Sequence, residues 1–374
     1  DDAKKLFDAW DKKHIVVSLD ADGLLCASLL SKLYPQSKLG GYYNEQGKLY
    51  TFGDMTVEQS KDALWVDLDI FDKQIKSIGQ HLFKMTNSDD IPRHKYSFNP
   101  NEYFKQAMYH LNNPTKKNLR RASFWANNPD KWQKCDKYPL ATLHIIMELF
   151  DIEWPTEGYA LQLILHPDST WATTFAYPQN VRIWVDKMFD AKFWDQYSGV
   201  SFFSKDTIIQ DRKDFVDKIQ KWFKKDARGT KLPDAIRENL SSNKLPMIDI
   251  KPLLGLQSFK GTQKTKTSRS DNINQFLKFV SEELQWEIGF IGMDFDDHKL
   301  IGKGVTEPKE NPQIYQKIEG RLDWGDFVRK KHVFSAVIKG SMDRSLRYTK
   351  RFKWIVETES ECQSRQQTLD DFTS

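Results

Sequence analysis

The sequence predicts an α/β fold: a parallel sheet in the N-terminal half and a second, smaller α/β domain joined to it by a helix. Three observations lead there. Two short apolar runs, at residues 15–19 (IVVSL) and 63–68 (ALWVDL), end at aspartates and give way to helical spacing, the alternation that builds parallel sheets. A charged amphipathic stretch at 211–227 separates two regions of alternating elements and suits a connector. The length of 374 residues exceeds the roughly 100–200 residues of one typical domain.

The first run breaks at Asp20-Ala21-Asp22-Gly23, and residues 24–33 have helical composition and spacing. The second closes on Asp67, with Asp69 just beyond, and 71–78 (FDKQIKSI) then reads as a short amphipathic helix before Gly79-Gln80-His81. Residues 138–150 (YPLATLHIIMELF) place Pro139 near a helix start and continue as an apolar core helix. In 211–227, Phe215, Ile219, Trp222 and Phe223 share one face. Residues 258–270 are polar and basic, with the composition of a mobile loop. Beyond it 272–284 is helical, 286–295 and 332–339 read as strands, and 347–357 as a last strand. The expected division is a first domain at 1–190, a helical connector at 191–250, a C-terminal α/β domain at 251–360 and a flexible tail at 361–374.

Composition narrows the setting. No apolar run reaches the roughly 18 residues of a membrane span, so a soluble chain without membrane association is expected. The three cysteines, Cys26, Cys135 and Cys362, are too few and scattered for a disulfide framework or a zinc cluster, which fits a reducing cytoplasmic or nuclear setting. A net charge of +4 does not by itself diagnose nucleic-acid binding. Local runs bear on it more: Lys116, Lys117, Arg120 and Arg121 precede Trp125 and Trp132, a basic cluster beside rings able to stack bases. Solvated loops beside core tryptophans give the same pattern.

Asp20 and Asp22 at a strand end are the converging oxygen ligands a hard divalent cation needs. Asp-x-Asp-Gly also begins calcium loops and ordinary turns, so the motif alone does not choose between them. Order adds to it. Asp67 closes the second strand, His81 follows a third short segment, and Asp168 comes after the apolar helix.

In that order the chain resembles the DHH phosphoesterases, and within them the RecJ nucleases and their non-catalytic relatives at the replication fork. Residues 18–23 (SLDADG) resemble the first motif, Asp67 the strand-end aspartate of the second, and Gly79-Gln80-His81 stands where the signature Asp-His-His belongs. Asn99-Pro100-Asn101 and Tyr138-Pro139 are similar to segments that follow in RecJ, and Asp168 takes the place of the fourth motif. The resemblance covers roughly residues 10–190. It implies that Asp20, Asp22, Asp67, His81 and Asp168 are catalytic metal ligands for manganese or magnesium. Ser18, Gly79 and Gln80 depart from the pattern, which implies one ion with water completing its shell, and Asp69 as a substitute ligand. In the C-terminal half, Ser345-Leu346-Arg347 resembles the Ser-x-Arg strand of the family's associated domain, where Arg347 would hold a phosphate; a surface strand arginine reads the same way. Asp294, Asp296, Asp297 and His298 read as a solvated turn.

Gln366, Leu369 and Phe372 have the spacing of the peptide by which replication and repair proteins bind a sliding clamp, without its second terminal aromatic. One helical turn would make Leu369 and Phe372 neighbouring anchors. The function implied is a metal-dependent phosphodiester hydrolase of the RecJ type, acting on single-stranded nucleic acid in replication or repair. A catalytically inactive RecJ-like scaffold that binds nucleic acid and a clamp, and a phosphodiesterase of oligoribonucleotides or cyclic dinucleotides, fit the same residues.

Overall fold

The computed structural model describes residues 2–44, 47–82, 91, 94–102, 138–155, 158–170, 181, 184, 269–306, 324–339 and 345–355. Its strands are β1 (His14–Ser18), β2 (Lys38–Tyr43), β3 (Lys48–Phe52), β4 (Leu64–Val66), β5 (Lys76–Ile78), β6 (Ser97–Phe98), β7 (His298–Thr306), β8 (Val333–Lys339) and β9 (Ser345–Trp354). The helices are α1 (Asp2–Ala9), α2 (Ala21–Leu33), α3 (Val57–Asp62), α4 (Thr142–Leu149), α5 (Gly158–Leu165), α6 (Arg269–Leu284) and α7 (Trp324–Lys331).

All nine strands belong to one sheet, in the order β6-β5-β4-β1-β2-β3-β7-β9-β8. The pairings from β6 to β2 are parallel, and those from β2 to β8 are antiparallel. The α/β class therefore stands, with a mixed rather than parallel sheet. The second domain is not shown. Among the described residues, β7, β8 and β9 extend the N-terminal sheet, and α6 joins the same core through Phe276, Leu277 and Val280. The expected connector and tail lie outside the described residues.

Alternation along β1 explains its apolar sequence: Ile15 and Val17 face one core, Val16 the other, as in a strand buried on both sides. The first face is covered by helices. α2 is central, with eleven of its thirteen residues buried, which is why it lacks a polar face. The second face packs against α3 and the C-terminal strands, joining Val16, Tyr43, Trp65, Ile70, Ile301 and Phe334. Here β8 returns to the loop after β4: Ser335 bridges Ile70, and Phe71 N donates to Phe334 O at 2.7 Å. Tyr43 Oη lies 2.7 Å from both Ser335 Oγ and Thr349 Oγ1, tying β2 to β8 and β9 inside that core.

Two element expectations are corrected. Residues 71–78 form a turn and strand β5, not a helix. Ile75 and Ile78 share a face at helical spacing, but three residues apart in extended chain they face opposite sides, and they do enter opposite cores. Residues 286–295 form no strand. Trp286, Ile288 and Phe290 do alternate inward with Glu287 and Gly289 exposed, yet no ladder forms, and turns at 289–292 break the run. The helix expected at 138–150 begins only at Thr142. Among the described residues, no helix is long and apolar enough to cross a membrane.

Candidate metal centre

β1 and β4 are parallel neighbours, and the loops after them lie at the carboxyl edge where ligands of α/β sheets gather. Asp20, in extended backbone, caps α2: its Oδ1 accepts from Gly23 N at 3.2 Å. Glycine is required at 23 because any Cβ there would collide with the Ser18 carbonyl. Ser18 Oγ lies 2.9 Å from Asp20 Oδ1 and 2.5 Å from Asp67 Oδ2, so this serine links the two strand ends.

Asp67 leaves β4 with φ of 58°, in the left-handed region. The turn carries Asp69 inward, where its carboxylate accepts from His81 N at 2.9 Å, Leu82 N at 3.2 Å and Asn99 Nδ2 at 2.8 Å. Asn101 extends the network, donating to Gln80 O at 3.0 Å and accepting from Tyr138 N at 2.6 Å. Gly79 is confined by this packing. A Cβ there would lie 2.7 Å from the Leu68 carbonyl carbon and 3.0 Å from Asp69 Cγ.

These contacts present the His81 ring to the acids. Its Nε2 lies 3.6 Å from Asp67 Oδ1 and 4.0 Å from Asp168 Oδ2, and its Nδ1 lies 3.9 Å from Asp69 Oδ2. Asp67, His81 and Asp168 each offer a ligand atom within 4.8 Å of the others. Asp168 has φ of 49°, and its carboxylate accepts from the Gln80 amide. Two of these three groups thus sit in a sparsely populated backbone region, of the kind that clusters at functional sites. Asp67 is buried and Asp168 exposed, so the cluster opens to solvent on one side.

Asp22 is held differently. Its oxygens accept from Thr142 N at 2.8 Å and Leu143 N at 3.0 Å, the first turn of α4. Thr142 Oγ1 also donates to Asp67 Oδ1 at 3.0 Å. α4 therefore supports both acids, a role its apolar sequence does not advertise. Burial, then the nearby Asp168 and Asp20 charges, push the Asp22 carboxyl up to about 7. Burial and the charges of Asp22, Asp20 and Asp168 raise Asp67 well above the usual carboxylate range, against the Ser18 hydrogen bond. Burial raises Asp69 too, against the pull of His81 and the hydrogen-bond donors. Like charges compressed in this way favour a cation among them.

The structure thus brings together Asp67, His81 and Asp168, with Asp20 linked through Ser18 and Asp22 behind them. Arg347 stands in β9 in register with Val337. Lys116, Lys117, Arg120, Arg121, Gln366, Leu369 and Phe372 lie outside the described residues. Asp294 accepts from Ser270 Oγ at 2.8 Å and from Asp296 N at 2.9 Å, as a turn beside the start of α6. Thr142 had no motif to mark it, although a hydroxyl at a helix start was a usable signal. No family model, curated protein or solved structure matches the chain in comparison.

Proposed function

We propose that the chain is a metal-dependent phosphodiester hydrolase of the RecJ type, with a DHH-like N-terminal half acting on single-stranded nucleic acid. The observation that supports this most is the convergence of Asp67, His81 and Asp168 from distant segments at a carboxyl strand edge. The donor set is two carboxylates and an imidazole, which suits manganese or magnesium better than a soft metal. A bound ion would supply Lewis acidity toward phosphate and acidify a water. The protein's own part is positioning. Ser18 and Thr142 hold the two oxygens of Asp67, Gln80 holds Asp168, and Asp69 fixes the backbone that carries His81.

A second reading, a non-catalytic scaffold, draws support from Ser18, Gly79 and Gln80. The serine and glutamine bind acids that ligand side chains would otherwise share with a metal, and position 79 has no room for a side chain. Manganese-dependent cleavage of single-stranded DNA, single-stranded RNA and dinucleotides separates the readings. Asp67→Asn is the informative variant, since asparagine tolerates left-handed backbone and still hydrogen-bonds two hydroxyls. It is expected to abolish manganese binding in calorimetry, together with turnover, while the protein stays folded. Unchanged turnover would overturn the assignment, and metal binding without cleavage of any substrate would favour the scaffold.

A further inference from the structure

The antiparallel half of the sheet aligns three lysines. Lys48 of β3 is in register with Lys303 of β7, and Lys303 with Lys353 of β9. The preceding rung, Leu49, Gly302 and Trp354, places Leu49 and Trp354 in the second core, so the three lysines share the opposite face. Lys303 and Lys353 are exposed and Lys48 half-buried.

The same rungs locate the row relative to the metal centre. Ser18 pairs with Tyr43, Tyr43 with Leu49, Leu49 with Gly302 and Gly302 with Trp354. The lysines stand one step beyond this line, toward the edge that carries Asp20 and Asp67. Measured along the sheet from β1, they lie two, three and four strands away, roughly 10, 14 and 19 Å at about 4.8 Å per strand.

Like charges directly opposite one another destabilise a sheet. None of the three has an acidic partner among the described residues. Lysines on edge strands deter aggregation, but β3, β7 and β9 are all interior in the strand order. Among the described residues the row is thus a cost to the sheet without a compensating contact, and a polyanion would neutralise it. Three flexible ammonium groups in a line suit successive phosphates of a backbone.

We propose that Lys48, Lys303 and Lys353 form a phosphate track that guides a single nucleic-acid strand along the sheet to the metal centre. The choice of partner rests on the nuclease reading; the track itself rests on the register. Anisotropy of a labelled oligothymidylate with EDTA present, between about 50 and 200 mM salt, tests it without any metal. Joint Lys48→Gln, Lys303→Gln and Lys353→Gln replacement is expected to weaken binding about tenfold or more. It should also flatten the salt slope by about 2, at roughly 0.7 per lost single-strand contact. Tm should hold or rise, and the manganese heat should not change. Equal affinity and slope in the variant, no binding by the wild type, or loss confined to a duplex probe would each overturn the track. Intact oligonucleotide binding without manganese heat would instead count against the nuclease reading alone.

Discussion

The His144 ring is fully buried, and both nitrogens are committed. Nδ1 accepts from Ala141 N at 2.9 Å, so Nε2 carries the proton and donates to Ile164 O at 2.9 Å. Burial pushes its pKa down to about 4 from 6.5, outweighing the two backbone hydrogen bonds. Protonation would set a second N–H against that of Ala141, at the start of the helix that cradles Asp22. Between pH 6.5 and 4 the unfolded chain takes up a proton that the folded protein refuses, so this stability is complete above pH 6.5 and falls on acidification. The gap of about 2.5 pH units corresponds to about 3.4 kcal/mol. His144→Phe retains the ring stacked on Trp154 at 4.5 Å but abandons both hydrogen bonds, a loss of about 1–3 kcal/mol near neutrality. Urea unfolding of both proteins from pH 7.5 down to pH 4 should show the difference move by about 3 kcal/mol in favour of the variant, cancelling or reversing the wild-type advantage. Other titrating groups are common to both and cancel. A difference constant across that range would refute the neutral, buried ring.

Asp22 acts in the opposite sense. Its pKa, raised to about 7 from 3.8, means that stability present at low pH is lost as pH rises through 7, by about 4 kcal/mol in metal-free protein. Manganese should therefore raise Tm more at about pH 8 than at about pH 5.5, where protons also compete for the ligands; equal increments in thermal scans would refute this. Tyr43→Phe strands two buried hydroxyls, on Ser335 and Thr349, and should cost about 1–3 kcal/mol in urea unfolding. A loss below about 0.5 kcal/mol would show that these hydroxyls do not bind β2 to the C-terminal strands. A peptide of residues 361–374 is expected to bind a sliding clamp at roughly micromolar affinity, with Leu369→Ala and Phe372→Ala together abolishing it. Calorimetry with purified clamp decides, and absence of heat at high peptide concentration would leave the tail without that role.

The sequence by itself determined the parts whose causes are local. A β-branched run, a capping aspartate and a glycine that clears Ser18 produce β1 and α2 within some twenty residues, and an aspartate, Asp67, likewise follows β4 directly. The order of short motifs, and the family resemblance it carried, likewise grouped Asp67, His81 and Asp168 with Asp20 and Asp22. Spacing alone was ambiguous where two periodicities coincide, as at Ile75 and Ile78, and where alternation lacked a partner strand, as at 286–295. Only the tertiary structure decided how residues from 298 onward return to the sheet begun at residue 14, so that Ser335 bridges Ile70 and Lys303 and Lys353 align with Lys48. It also showed that α4 holds Asp22 and Asp67. Such contacts join residues up to some 300 positions apart, and what selects them is the burial of a second sheet face and the pairing of its strand edges, which no window of sequence contains.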